Sequence, residues 1–122
     1  MKTYQITIKD VRVGDWVLKN DKPHQITIAD LNKLEDYRIL NRESPFTPMP
    51  ITQEILEENC TSSSTGDKYL KTYCFEDLEV TISIPINFCW ISCMEELQFE
   101  FVHELQALLF AFGIDVTIKI NS

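Results

Sequence analysis

The cleanest helical period in the chain lies in Phe101–Gly113. At about 100° per residue, Phe101, Leu105, Leu108 and Phe112 fall on one stripe, flanked by Val102 and Leu109, as a face buried against a sheet requires. Gly113 supplies the residue best able to adopt the left-handed conformation that ends a helix. Ile114–Ile120 then alternates apolar and polar positions and predicts a final strand with one wet face. Upstream, strand patterns occur over Thr3–Lys9, Trp16–Leu18 and His24–Ile28, with a turn at Asn20-Asp21-Lys22-Pro23. Leu31–Leu40 is mixed, and Leu34, Tyr37 and Ile39 suit either a further strand or a short helical turn. Thr52 suits the N-cap of a short helix over Gln53–Asn59, with Ile55 and Leu56 facing a core. Lys68–Phe75, Leu78–Ile84 and Phe88–Ser92 read as three strands, and Glu95–Phe99 leads into the last helix.

The punctuation divides the chain. Ser44-Pro45-Phe46-Thr47-Pro48-Met49-Pro50 holds three prolines in six residues, which removes backbone donors and keeps the chain extended. This predicts an α+β protein in three parts. Residues 1–43 form an N-terminal antiparallel hairpin unit that resembles a small SH3-like barrel. Residues 44–50 form a rigid connector, with a Pro-rich ligand for another module as its alternative role. Residues 51–122 form an antiparallel sheet packed by the one long helix. A barrel of that kind assigns no function, because such shapes serve many partners. Thr61–Gly66 reads as a loop and lacks the spacing of a phosphate-binding loop.

Charge narrows the function classes. The chain of 122 residues carries a net charge of −8 and 44% apolar residues, enough for a real core. Residues 1–50 hold eight Lys/Arg against seven Asp/Glu, a balance of +1, whereas residues 51–122 hold three against twelve, a balance of −9. The second part therefore disfavours direct binding to nucleic acid and favours a partner with a basic patch. No apolar run reaches the roughly 18 residues of a membrane span, and the first residues lack a signal-peptide pattern. The expected setting is the cytoplasm. There the four cysteines, Cys60, Cys74, Cys89 and Cys93, are expected as reduced thiols. Cys89-x-x-x-Cys93 has only a loose metal-like spacing with no second pair, so neither metal nor cofactor is expected; zinc-dependent folding, with His103 completing the site if the fold brings it near, is the lesser alternative.

Catalytic patterns are absent. His24 and His103 fall in different expected units, and no nucleophile elbow or zinc-protease helix occurs. Glu96/Glu100 and Glu100/Glu104 place carboxylates one helical turn apart, a spacing that also describes a solvated acidic face. One feature stands out on the long helix. His103, Gln106, Ala107 and Phe110 line up opposite the predicted core stripe, and a solvent face does not need Phe110. Either a second layer covers that stripe or a partner does. His103 has a plainer use as well, hydrogen-bonding the turn before it.

Phe101–Gly113 (Phe-Val-His-Glu-Leu-Gln-Ala-Leu-Leu-Phe-Ala-Phe-Gly) resembles the C-terminal motif of a family of small hypothetical proteins from Bacteroidetes genomes, their phages and integrated elements. That motif reads approximately Tyr-Val-His-Gln-Leu-Gln-Asn-Leu-Tyr-Phe-Ala-Leu-Thr-Gly. His103, Leu105, Gln106, Leu108, Phe110, Ala111 and Gly113 match it, whereas Ala107 replaces the Asn and one residue is missing before Gly113. Val11–Val17 resembles the family's opening and Pro50–Leu56 its middle helix. The resemblance implies no activity. It implies a phage or mobile-element accessory protein, which with the charge pattern suggests a non-enzymatic module binding a host or phage protein through His103, Gln106 and Phe110. Two other expectations stand beside it. One is a protein that sequesters a small nucleotide signal, with the anion near Lys19, Lys22, Arg38 or Arg42. The other is a virion or assembly component that forms homo-oligomers.

Overall fold

The computed structural model describes residues 6, 9–63, 66, 68–92 and 94–120, apart from the side chains of Glu95 and Glu96. The strand expected over Thr3–Lys9 falls largely outside these residues, as do Cys93 and part of the Thr61–Gly66 loop. The class is α+β, with three helices and two antiparallel sheets among the described residues. The chain divides into two compact units, with the boundary between Met49 and Pro50.

The first unit starts from a tight hairpin. β1 (Trp16–Lys19) and β2 (Lys22–Gln25) pair antiparallel, and Lys19 lies opposite Lys22. Only Asn20 and Asp21 make the turn, both left-handed, with φ of 52° and 62°. This is the mirror-image turn whose twist matches the strands, and Asn and Asp are among the few residues that enter it without glycine. Gly14, at φ +95°, turns the chain into β1, and its N–H donates to the Ile26 carbonyl at 2.8 Å.

The strand expected over His24–Ile28 stops at Gln25. Thr27 starts a helix instead, and α1 (Ile28–Ile39) replaces the mixed segment expected over Leu31–Leu40. The cause is a reciprocal cap. The Asp30 N–H donates to Thr27 Oγ1 at 3.2 Å, and the Thr27 N–H donates to Asp30 Oδ2 at 2.8 Å. Two orphan donors of the first turn are thereby satisfied. The helix ends on Asn41 at φ 53°, where Asn41 N–H donates to Arg38 O and Arg42 N–H to Tyr37 O, the paired bonds of a Schellman motif.

Residues 44–50, expected as a rigid connector, hold a strand of the first unit's sheet. Phe46–Pro48 forms β3, which pairs with β1, so the sheet order is β2-β1-β3. β2 and β3 are both edges, where a proline's missing N–H costs no ladder bond, and so Pro23 and Pro48 are tolerated. Phe46 is buried with Ile6, Val11, Val17, Ile26 and Leu34, and Leu31 packs against them. With its 12-residue helix, this unit departs from the small barrel that the hairpin suggested.

In the second unit, α2 (Gln53–Asn59) forms where the sequence places it. Thr52 Oγ1 accepts from Ile55 N–H at 3.3 Å, and Ile55 and Leu56 are buried. A five-stranded meander follows: β4 (Ser62–Ser63), β5 (Leu70–Phe75), β6 (Leu78–Ser83), β7 (Phe88–Ile91) and β8 (Met94–Phe99), adjacent in that order. Registers Tyr73↔Val80, Phe75↔Leu78, Ile82↔Cys89 and Cys89↔Phe99 put these buried residues on one face. Such same-face pairs are the unit of sheet stabilisation. β8 occupies residues that the pattern read as a lead-in to the helix. Pro50 bridges Phe101, Ile51 N–H donates to Glu100 O at 2.9 Å, and α3 (Val102–Ala111) follows.

The final strand expected over Ile114–Ile120 does not form among the described residues. A side chain holds them instead. Lys119 N–H donates to Asn59 Oδ1 at 2.6 Å, and Asn59 Nδ2 donates to Lys119 O and Ile55 O, each at 2.9 Å. The Asn59 amide thus copies one rung of a sheet, and Ile118 nearby is buried. Asn59→Ala removes all three bonds, with an expected cost of about 1–2 kcal/mol. Urea denaturation measures that cost, and faster hydrogen exchange at the Lys119 amide locates it.

Candidate partner-binding face of the last helix

α3 is apolar on nearly every side: only His103, Glu104 and Gln106 interrupt Val102–Ala111. Such a helix gives a weak signal of which face is inside, and the face differs from that expected. Val102, Leu105 and Leu109 are almost fully buried, whereas Leu108 is half-buried and Phe112 is 41% exposed. The core stripe is therefore rotated by roughly 70° from the Phe101–Leu105–Leu108–Phe112 stripe, at about 100° per residue. The helix entry accounts for the difference. Phe101 is the N-cap residue, held by the bridge to Pro50, and Glu104 Oε1 accepts from the N–H groups of Phe101 at 3.2 Å and Glu100 at 3.3 Å. Glu104 belongs to that cap rather than to a free acidic face.

The three residues expected to meet a partner separate. His103 is only 4% exposed, and its ring stacks on Phe101 at 6.0 Å between centroids. It sits in the first turn, where the entering chain covers it, and so cannot reach a partner directly. Gln106 is half-buried at the margin. Phe110 is 73% exposed. Ala107 and Ala111, one turn before and one residue after it, are exposed too, and Phe112 extends the apolar surface beyond the helix. Phe112 was not foreseen, since the wheel assigned it to the core. Its place past the last buried residue, Leu109, was the available signal.

The end of α3 has an electrostatic sense. Its last turn carries no basic residue, and the exposed Asp115 follows shortly. The helix itself thus supplies no cation to the negative end of its dipole. Gly113, at φ +70°, closes the helix, with its N–H on Phe110 O and the Ile114 N–H on Leu109 O. The exposed aromatic ring therefore stands on a rigid, capped turn.

The other polar clusters are accounted for by the fold. Glu57 Oε1 accepts from Lys71 Nζ at 3.2 Å and from the Tyr73 hydroxyl at 3.0 Å, which ties α2 to β5. Lys71 first, then Tyr73, holds the Glu57 carboxyl below its ordinary range, while burial pushes Tyr73 up. Burial, then the charge of Glu100, pushes the Cys89 thiol to about 12, and burial also raises Cys60. Neither has the lowered pKa of a reactive cysteine. Among the described residues, no three His, Cys, Asp or Glu side chains are grouped as metal ligands. No described helix is long and apolar enough to cross a membrane.

His24 and Asp30 make a carboxylate–imidazole pair. His24 Nε2 lies 2.7 Å from Asp30 Oδ2, which also accepts from the Thr27 N–H and hydroxyl. Among the described residues, no nucleophile is hydrogen-bonded to His24 at its other nitrogen, so this is a cap reinforced by histidine rather than a catalytic set. Burial acts to raise the Asp30 pKa, but the hydrogen bonds from His24 and Thr27 outweigh it and hold the carboxyl below its ordinary value of 3.8. No family model, curated protein or solved structure matches the chain.

A depressed carboxylate stabilises the fold above its unfolded pKa, and that contribution disappears as pH falls through the folded one. Asp30→Asn is therefore expected to destabilise the first unit at neutral pH, on the order of 1 kcal/mol. It should also shrink the loss of stability that the wild type shows as pH drops below 3.8. Denaturation midpoints measured against pH for both proteins check this. Parallel acid limbs would show that Asp30 is not the group responsible.

Proposed function

We propose that this protein is a non-enzymatic interaction module that binds a basic protein partner on the exposed end of α3. The observation that carries this is Phe110, 73% exposed on a helix whose other side is fully used by its own unit. Most of that ring's surface remains open, and burying it against a partner is worth about 1.5–3 kcal/mol. The sign of the partner follows from charge. Residues 51–122 have a balance of −9, the last turn of α3 lacks a base, and Asp115 lies beside it. Lysine or arginine side chains around an apolar pocket would complement both the ring and the surrounding field. Gln106 would act at the margin of the contact, and His103 would act only by setting the first turn.

The resemblance of Phe101–Gly113 to the phage and mobile-element proteins supports an accessory role, with a host or phage protein as the target in the host cytoplasm. Phe110 belongs to the part of the motif that matches.

Phe110→Asp is expected to leave the denaturation midpoint nearly unchanged, because the residue is exposed. Affinity for the partner should drop at least tenfold, as the loss of 1.5 kcal/mol or more predicts. The wild-type complex should also associate more slowly as salt is raised, since the field of unit charges is screened. Co-purification followed by titration calorimetry of both proteins measures these effects. An acidic partner, or full affinity in Phe110→Asp, overturns the reading.

A further inference from the structure

The first unit contains a cleft of about 210 Å³ at the C-terminal end of α1. Ile6 and Leu34, both almost fully buried, close its floor, and its accessible lining comes from the half-buried Tyr37, whose ring adds apolar surface, and from the exposed Arg38, Asn41 and Arg42. From this arrangement we infer a binding site for a small oxyanion with a flat apolar body, an aryl or alkyl carboxylate or phosphate monoester. The site is independent of the role of α3.

Three features point to that ligand class. First, the backbone that carries the polar groups is fixed. The Schellman bonds Asn41 N–H to Arg38 O and Arg42 N–H to Tyr37 O hold the turn, and Ser44 Oγ accepts from Phe46 N–H at 3.0 Å on the way into β3. The same bonds occupy helix-end carbonyls that would otherwise face and repel an anion.

Second, the two arginines differ in availability. Glu35 accepts from Arg38 Nε and Nη2, which leaves the rest of the guanidinium as donor. Arg42 has no ion pair or side-chain hydrogen bond among the described residues. A planar guanidinium is the side chain best matched to a carboxylate or phosphate, because it donates two parallel hydrogen bonds. The Tyr37 hydroxyl and the Asn41 amide are further donors on the same lining.

Third, size and polarity exclude other occupants. The volume lies below the roughly 300 Å³ at which drug-sized pockets begin, so the cleft takes a small molecule or one end of a larger one. The apolar floor would be wasted on inorganic phosphate alone. Acidic residues do surround the turn: Glu35 is committed to Arg38, and Asp36 and Glu43 are exposed beside it. Arg42 is the cation left to oppose them, and so it should dominate affinity.

Nuclear magnetic resonance of the full ¹⁵N-labelled chain, titrated separately with phenyl phosphate, benzoate and inorganic phosphate, tests the site. Saturable shifts of the amides of residues 34–44 with phenyl phosphate or benzoate are expected, and the tighter probe identifies the head group. Arg42→Ala should weaken that binding about tenfold or more, with amide positions elsewhere unchanged. Arg42→Lys, which keeps the charge but not the fork, should restore it only partly. No saturable shift with either aryl probe, or undiminished binding by Arg42→Ala, overturns the assignment. So does inorganic phosphate that binds as tightly as phenyl phosphate, because the apolar floor would then contribute nothing.

Discussion

A ten-residue helix can turn only part of its circumference toward its own unit, and α3 is apolar around most of it. Val102, Leu105 and Leu109 use the inward part and reach almost complete burial. The same geometry forces Ala107, Phe110 and Ala111 outward, since residues about half a turn from a buried stripe cannot share it. The entry into α3 makes the choice. The Pro50–Phe101 bridge and the reach of Glu104 back to Phe101 fix the first turn, and each later residue follows at the helical period. The exposed aromatic end is thus a consequence of how the helix is started.

Much of the fold is legible in the sequence wherever one period or one cap dominates. Thr52 before Gln53–Asn59 marks α2, and the alternation in β5, β6 and β7 gives the buried face of the meander. The misreadings have specific causes. α1 was obscured because Thr27-x-x-Asp30 caps with Asp in place of the usual Glu, and because its apolar residues are sparse. Phe46–Pro48 pairs as an edge strand despite two prolines close by, since edges forgive a missing donor. At the candidate site, Phe110 was legible as an anomaly. The burial of His103 was not, because it depends on the chain that precedes the helix rather than on the helix's own period.

The two units divide their charge, and that division orders the functional possibilities. The acidic second unit presents an apolar helix end without a base, a surface suited to a cationic protein. The nearly neutral first unit gathers Arg38 and Arg42 at a helix end whose carbonyls are already bonded. The two proposed ligands are therefore of opposite sign and fall on separate units. Neither surface needs a perturbed nucleophile, and the thiols raised by burial supply none.

The turns have a thermodynamic consequence of their own. The chain has only three glycines, yet among the described residues five non-glycine residues are left-handed: Asn20, Asp21, Asn41, Glu76 and Asn87. Each pays roughly 1 kcal/mol of local strain, most of all Glu76, whose side chain offers no local compensation. In return, each side chain restricts the unfolded chain more than glycine would, so less backbone entropy is lost on folding. These turns, Asn41 at the end of α1 among them, are thereby strained but narrowly specified, and in the hairpins that fixes strand register.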